Sequence, residues 1–196
     1  MAYAELATHT NFSFLRGASH ARDLVLTALA LGHTGIGIAD RNTVAGVVRA
    51  HGALEELRRE GVVPPEKVRH GSGPGEHAWV MTGADPAVTD PEGMRERARR
   101  FRLAVGARLA FADGTPDIAV YPEDRAGWGR LCRLLTRGNG RARKGECILR
   151  LDDLLADTAG LLLILLPGRA GDPPPDLLGR LHAAAPGAAW LAAAMH

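Results

Sequence analysis

Two short apolar runs near the start of the chain each end in polar residues, and each precedes a helical pattern. The first leads from Ala4-Glu5-Leu6-Ala7-Thr8 into His9-Thr10-Asn11, the second from Gly35 to Ala39 into Asp40-Arg41-Asn42. Between them Leu24, Val25, Ala28 and Leu29 share one helical face. After the second run come Val44, Val47, Val48, His51, Leu54 and Leu57 at the spacing of another amphipathic helix. Strand–helix–strand–helix succession predicts an α/β fold with a parallel sheet and right-handed crossovers. Such sheets present their chemistry at the carboxyl ends of the strands, where His9 and Asp40 stand.

The rhythm breaks over residues 61–91, a Gly- and Pro-rich stretch that reads as a flexible insertion. Its Gly71-Ser72-Gly73-Pro74-Gly75 segment is no P-loop, because no Lys-Ser/Thr follows it and no strand leads into it. Pro91 to Arg100 predicts a helix, and Leu103 to Phe111 a strand. The Asp113-Gly114 turn leads into a hairpin partner over Asp117 to Tyr121. A helix over Arg125 to Arg137 buries Trp128, Leu131, Leu134 and Leu135, and a basic, Gly-rich loop runs from Arg137 to Gly145. Leu151 to Leu155 forms a helical turn, Leu161 to Leu166 a strand buried on both faces, and Leu177 to Ala184 a last helix. Ala189 to Ala193 begins one more strand, which leaves an unpaired edge and the expectation of a domain incomplete at its C-terminus.

The 196 residues suffice for one good core, and 46% hydrophobic with 23% charged residues is ordinary for a soluble globular protein. A net charge of +2 is no nucleic-acid signature in itself. The cations are unevenly placed, however, and Arg137, Arg141, Arg143 and Lys144 are the candidate nucleic-acid contacts. The competing reading is a solvated helix terminus stabilised by its own dipole. Cys132 and Cys147 sit in no ligand spacing and imply a reducing, cytoplasmic compartment. His20, His33, His51, His70 and His77 show no ligand spacing either. No signal peptide is visible, and the longest apolar run, Leu161 to Leu166, is too short to cross a bilayer, so no membrane association is expected.

The stretches Leu6 to Phe14, Ile38 to Asn42 and Val105 to Leu109 together resemble the polymerase and histidinol phosphatase (PHP) domain. That domain opens the α subunits of bacterial C-family DNA polymerases, and Asn11 to His20, Asp40 to Ala50 and Tyr121 to Cys147 favour the damage-inducible, error-prone branch. The resemblance implies a partial, distorted (β/α) barrel. Active PHP domains hold a cluster of divalent metals with His-x-His after the first strand, Asp-His after the second and Glu on the third. The corresponding residues here are Ala7 and His9, Asp40 and Arg41, and Arg108, so two of five early ligands survive. Guanidinium groups do not deprotonate and repel cations, which implies a vestigial site in which Arg41 or Arg108 pairs with Asp40. His9 and Asp40 remain the weak metal candidates, and the expectation is that this chain holds no metal and has no catalytic residue.

The resemblance further implies template-directed nucleotidyl transfer in translesion synthesis after DNA damage, with its Mg²⁺ held by a palm domain absent from this chain. The chain alone is then expected to be inactive and structural. Its implied partners are the remaining polymerase domains, mutasome proteins, and DNA through the full-length protein. Two alternatives stand beside this: a stand-alone PHP-type metal-dependent phosphoesterase, and a protein-binding module using Phe12, Phe14 and the insertion.

Overall fold

The computed structural model describes residues 3–61, 90–167 and 175–193. Nearly all of the expected insertion therefore lies outside the described residues. Strands β1 (Ala4–Thr8), β2 (Gly35–Arg41), β3 (Arg102–Leu109), β4 (Ile118–Pro122), β5 (Leu161–Leu165) and β6 (Ala189–Leu191) form one sheet in sequence order. β1, β2 and β3 are parallel, β4 is antiparallel to both its neighbours, and β6 is parallel to β5. The parallel expectation therefore holds at both ends of the sheet. The Asp113-Gly114 turn, with Gly114 in the left-handed region at φ 82°, reverses the chain between β3 and β4. The sheet curls into half a barrel.

Helices α1 (Ala21–Ala30), α2 (Ala45–Glu60), α3 (Pro91–Arg100), α4 (Arg125–Gly140), α5 (Leu151–Leu155) and α6 (Pro175–Ala184) complete the described elements. Side chains alternate between faces along each strand. One set, Ile36 and Ile38 of β2, packs with Val25, Leu29, Leu54 and Phe101 of the α1–α3 layer. Leu163 and Leu165 of β5 and Val120 of β4 pack with Leu131, Leu134 and Leu181 of α4 and α6. Burying each such Leu or Ile contributes about 1.5–3 kcal/mol, so this helix-covered convex face carries most of the stability.

Three details depart from the sequence reading. α2 lies against both α1 and α3, so its buried residues are Gly46, Val47, Ala50, Ala53, Leu54 and Leu57, while Val48 and His51 are exposed. Ala50 and Ala53 are buried in this helix layer, where close helix approach leaves little room for larger side chains. α4 continues through the expected loop to Gly140, because Gly138 lets Cys147 and Leu149 pack directly onto the helix. β5 is not buried evenly on both sides: Leu161, Leu163 and Leu165 are buried, Leu162 and Ile164 only partly.

The concave face is different in kind. It carries Gly37 and Ala39 from β2, Ala104 and Gly106 from β3, and Ala119 and Tyr121 from β4. Tyr121 lies across this face and donates its hydroxyl proton to the Leu6 carbonyl of β1, spanning two intervening strands. A Cβ on Gly37 or Gly106 would overlap the Tyr121 side chain, so the two glycines make the space the ring occupies. Burial pushes the Tyr121 hydroxyl well above the usual tyrosine range, which keeps it a donor.

Tyr121→Phe is expected to cost about 1 kcal/mol through loss of one hydrogen bond. Gly106→Ala should cost more, since its Cβ also meets the Val120 carbonyl, a backbone group that cannot swing aside. Urea unfolding followed by circular dichroism ranks the two. A Gly106→Ala variant as stable as wild type would contradict this packing.

Candidate functional site

Asp40 is fully buried, at 0% exposure, near the carboxyl end of β2. Its Oδ1 accepts from the Thr10 backbone N–H at 2.8 Å and the Ser13 hydroxyl at 2.6 Å, and its Oδ2 from the Thr10 hydroxyl at 2.8 Å. Each hydroxyl is itself used twice: Thr10 Oγ1 accepts from the Phe12 N–H and Ser13 Oγ from the Arg41 N–H. The loop between β1 and α1 is thereby fastened to β2. Gly46 belongs to this cage, because a Cβ there would strike Asp40 Oδ2 and Thr10 Oγ1. Gly17 does too, lying hard against the Thr10 carbonyl. The fastened loop turns its apolar tip outward, with Phe14 83% and Leu15 88% exposed and Leu15 in the left-handed region at φ 59°.

Arg41 and Arg108 do not pair with Asp40, contrary to the sequence expectation. Adjacent strand residues point to opposite faces, so Asp40 enters the helix layer while Arg41 stands on the concave side. Arg41 and Arg108 are register partners across β2 and β3. Both bind Oδ2 of Asp117, Arg108 through Nε at 2.7 Å and Arg41 through Nη1 at 3.3 Å. Asp117 escaped the sequence reading. The available signal was its place just before β4, two residues from Ala119, the register partner of Arg108.

His9 completes the group. Its Nε2 lies 3.3 Å from Arg108 Nη1, and its Nδ1 lies 3.0 Å from the Ala7 carbonyl. A guanidinium only donates, so Nε2 is the acceptor and the ring proton sits on Nδ1, donated to Ala7. Burial holds the His9 pKa below the ordinary histidine value and the Arg108 charge lowers it further, with Arg16 adding to it and Ala7 and Asp40 opposing. His9 is thus a neutral imidazole at neutral pH.

Measured against a divalent cluster, the five positions offer little. Ala7 has no donor side chain, Arg41 and Arg108 are cations, and the Asp40 oxygens are engaged by hydroxyls and an N–H on the other face. Among the described residues no group of three or more His, Cys, Asp or Glu side chains could hold a metal ion. In the basic region, Arg141 binds Asp153 through Nη1 at 2.6 Å and Nη2 at 2.9 Å, and Arg137 lies 3.7 Å from the same carboxylate. The Arg141 contacts hold the Asp153 carboxyl below the usual range. Arg143 and Lys144 are exposed. Burial pushes both cysteine thiols up, so they stay protonated.

Two measurements probe this geometry. Asp40→Ala removes an acceptor of three hydrogen bonds and should cost about 3 kcal/mol or more, since bonds to a buried charge are the strong ones. It should also free the loop, so trypsin cleavage at Arg16 accelerates; an unchanged cleavage rate would contradict the fastening. Arg108→Ala should raise the His9 pKa, read by NMR titration. Because His9 folds neutral, wild-type stability should fall as the pH drops below the ordinary histidine value, where the unfolded chain binds the extra proton.

The PHP domain family matches residues 5–194. An error-prone DNA polymerase of Brucella abortus is 44% identical over 197 residues, covering 98% of this chain and 15% of the relative. One from Rhodopseudomonas palustris is 45% identical over 166 residues, covering 85% of this chain and 12% of the relative. The chain thus spans only 12 to 15% of the length of these curated relatives. Among solved structures, a Bifidobacterium adolescentis protein described as a metal-dependent phosphoesterase superposes with a TM-score of 0.56 at 14% identity, covering 96% of this chain and 76% of that one. That likeness concerns the fold, whereas the match along nearly the whole sequence decides the family. The chain belongs to the PHP domain family.

Proposed function

We propose that this chain is the N-terminal PHP portion of an error-prone DNA polymerase and that it serves there as a structural domain with a converted metal centre. The observation that carries the reading is the Arg41–Asp117–Arg108 ion pair with His9 beside it. Two fixed cations stand on the rim where an active PHP domain would gather divalent metals, and a divalent ion there would face Coulomb repulsion at short range. The phosphoesterase alternative needs those metals to activate water, and three of its five early ligand positions carry no donor for them. In this reading nucleotidyl transfer, its Mg²⁺ and translesion synthesis after DNA damage belong to polymerase segments outside this chain. The remaining polymerase domains are the direct partners, mutasome proteins and DNA being reached through the whole protein in the cytoplasm.

The basic region supports nucleic-acid contact less than its sequence does. Arg137 and Arg141 share Asp153, which leaves Arg143 and Lys144 as the stronger candidates for phosphate contact.

Titration calorimetry with Mn²⁺ and Zn²⁺ tests the reading on wild type and on the Ala7→His/Arg41→His/Arg108→Glu variant. Wild type should show no stoichiometric binding and no melting-temperature rise, since any ligand specific to the folded state must stabilise it. The variant should gain measurable affinity. Tight metal binding by wild type, or metal-dependent hydrolysis of a phosphate ester, would overturn the proposal.

A further inference from the structure

The loop between β1 and α1 presents apolar side chains that the described fold does not cover. Phe14 and Leu15 stand at its tip, 83% and 88% exposed. Two residues before the tip, Phe12 lines a groove of about 450 Å³ together with Arg22 of α1 and Val48, Arg49, Gly52 and Glu56 of α2. Val48 is itself exposed, and a Cβ on Gly52 would meet nothing within 4 Å, so the α2 backbone lies open along the groove. A mobile loop would fold its apolar residues back onto such a surface. This loop is held away from it. Asp40 fastens Thr10 and Ser13, while the Arg16 and Gly17 N–H groups donate to the Ser13 carbonyl and the Asn11 N–H to the Ser19 carbonyl. Leu15 is kept in the left-handed region at φ 59°, where a leucine is disfavoured. Backbone strain and apolar exposure therefore fall on the same residue.

We infer that the Phe14–Leu15 tip and the groove along α2 form a docking surface for the polymerase portion of the same polypeptide, which meets the tip with an apolar pocket edged by acidic residues. The inference rests on the polymerase reading above and adds to it the surface through which the domains meet. Three observations select this occupant. Contiguous exposed apolar side chains mark interaction surfaces, and a rigidly presented anchor loses little conformational freedom on docking. Phe12, Phe14, Leu15 and Val48 cannot supply by themselves the roughly 800 Å² per partner that a self-standing interface buries, which disfavours a second copy of the chain. A covalently joined partner docks at high effective concentration and needs less area, and this chain spans only 15% of the Brucella abortus polymerase. Charge sets the edge of the pocket: Arg16 follows the tip and Arg22 and Arg49 line the groove, against Asp23 and Glu56. Cations outnumber carboxylates there, so an acidic edge is the complementary one.

Hydrogen–deuterium exchange tests this by comparing the chain alone with the full-length polymerase that carries it. Peptides covering residues 11–17 and 45–56 should exchange several-fold more slowly in the full-length protein. Phe14→Ser and Leu15→Asn should each remove that protection. Leu15→Asn carries a second readout of opposite sign: asparagine accepts the left-handed conformation more readily than leucine, so in the chain alone this variant should melt at or above wild type. Lost protection with an undiminished melt separates lost docking from lost folding. Equal exchange in the two proteins, protection that survives both variants, or a Leu15→Asn chain that melts below wild type overturns the inference. Self-association of the chain alone that both variants abolish overturns it too, since the occupant is then a second copy. Primer extension by the full-length protein reads the polymerase assignment separately: absence of extension overturns that assignment, whereas extension without protection overturns only the docking.

Discussion

A buried carboxylate has to be satisfied, and Asp40 obtains its three hydrogen bonds from two residues of one loop. That requirement shapes everything around the first two strands. Thr10 and Ser13 must present both hydroxyls inward, Gly17 must let the loop fold back on itself, and Gly46 must begin α2 without a side chain. In return the loop leaves the sheet along a fixed path, and its apolar tip at Phe14 and Leu15 is turned outward. An aspartate in a position associated with metal ligation serves here as the fastening between a strand and a loop.

Strand alternation then separates two kinds of chemistry that the sequence writes side by side. Asp40 and Arg41 are neighbours in the chain and lie on opposite faces of the sheet. The convex face is covered by helices and holds the core; on the concave face Gly37, Ala39, Ala104, Gly106 and Tyr121 of β2–β4 are joined by Leu162, Ile164 and Leu166, and its rim is cationic. Tyr121 lies across that face, reaching from β4 to the Leu6 carbonyl of β1.

Much of this fold was legible because its signals are local. The first two strand–helix units, the α3 start at Pro91, the Asp113-Gly114 turn and the five-residue α5 all follow from periodicity and turn chemistry. Misreadings came where tertiary packing overrides local pattern: Val48 looks like core by spacing but faces solvent, and the Gly-rich end of α4 looks like loop but packs against Cys147 and Leu149. At the site, the replaced ligand positions could be read from residue types alone. Their partner could not, since Asp117 lies 76 residues from Arg41 and only the hairpin brings it there. The direction error over Asp40 was avoidable, because alternation along β2 already assigns Asp40 and Arg41 to opposite faces.

The shared oxygen of Asp117 also limits how this sequence can change. Replacing Arg108 by an acid would set two carboxylates against the single guanidinium of Arg41, turning an attractive cluster into a repulsive one without yet assembling a metal site. Replacing Arg41 first leaves Asp117 and Arg108 as a lone ion pair. Changing either arginine toward a ligand therefore disrupts the present arrangement before another can form, so the two positions are coupled through Asp117.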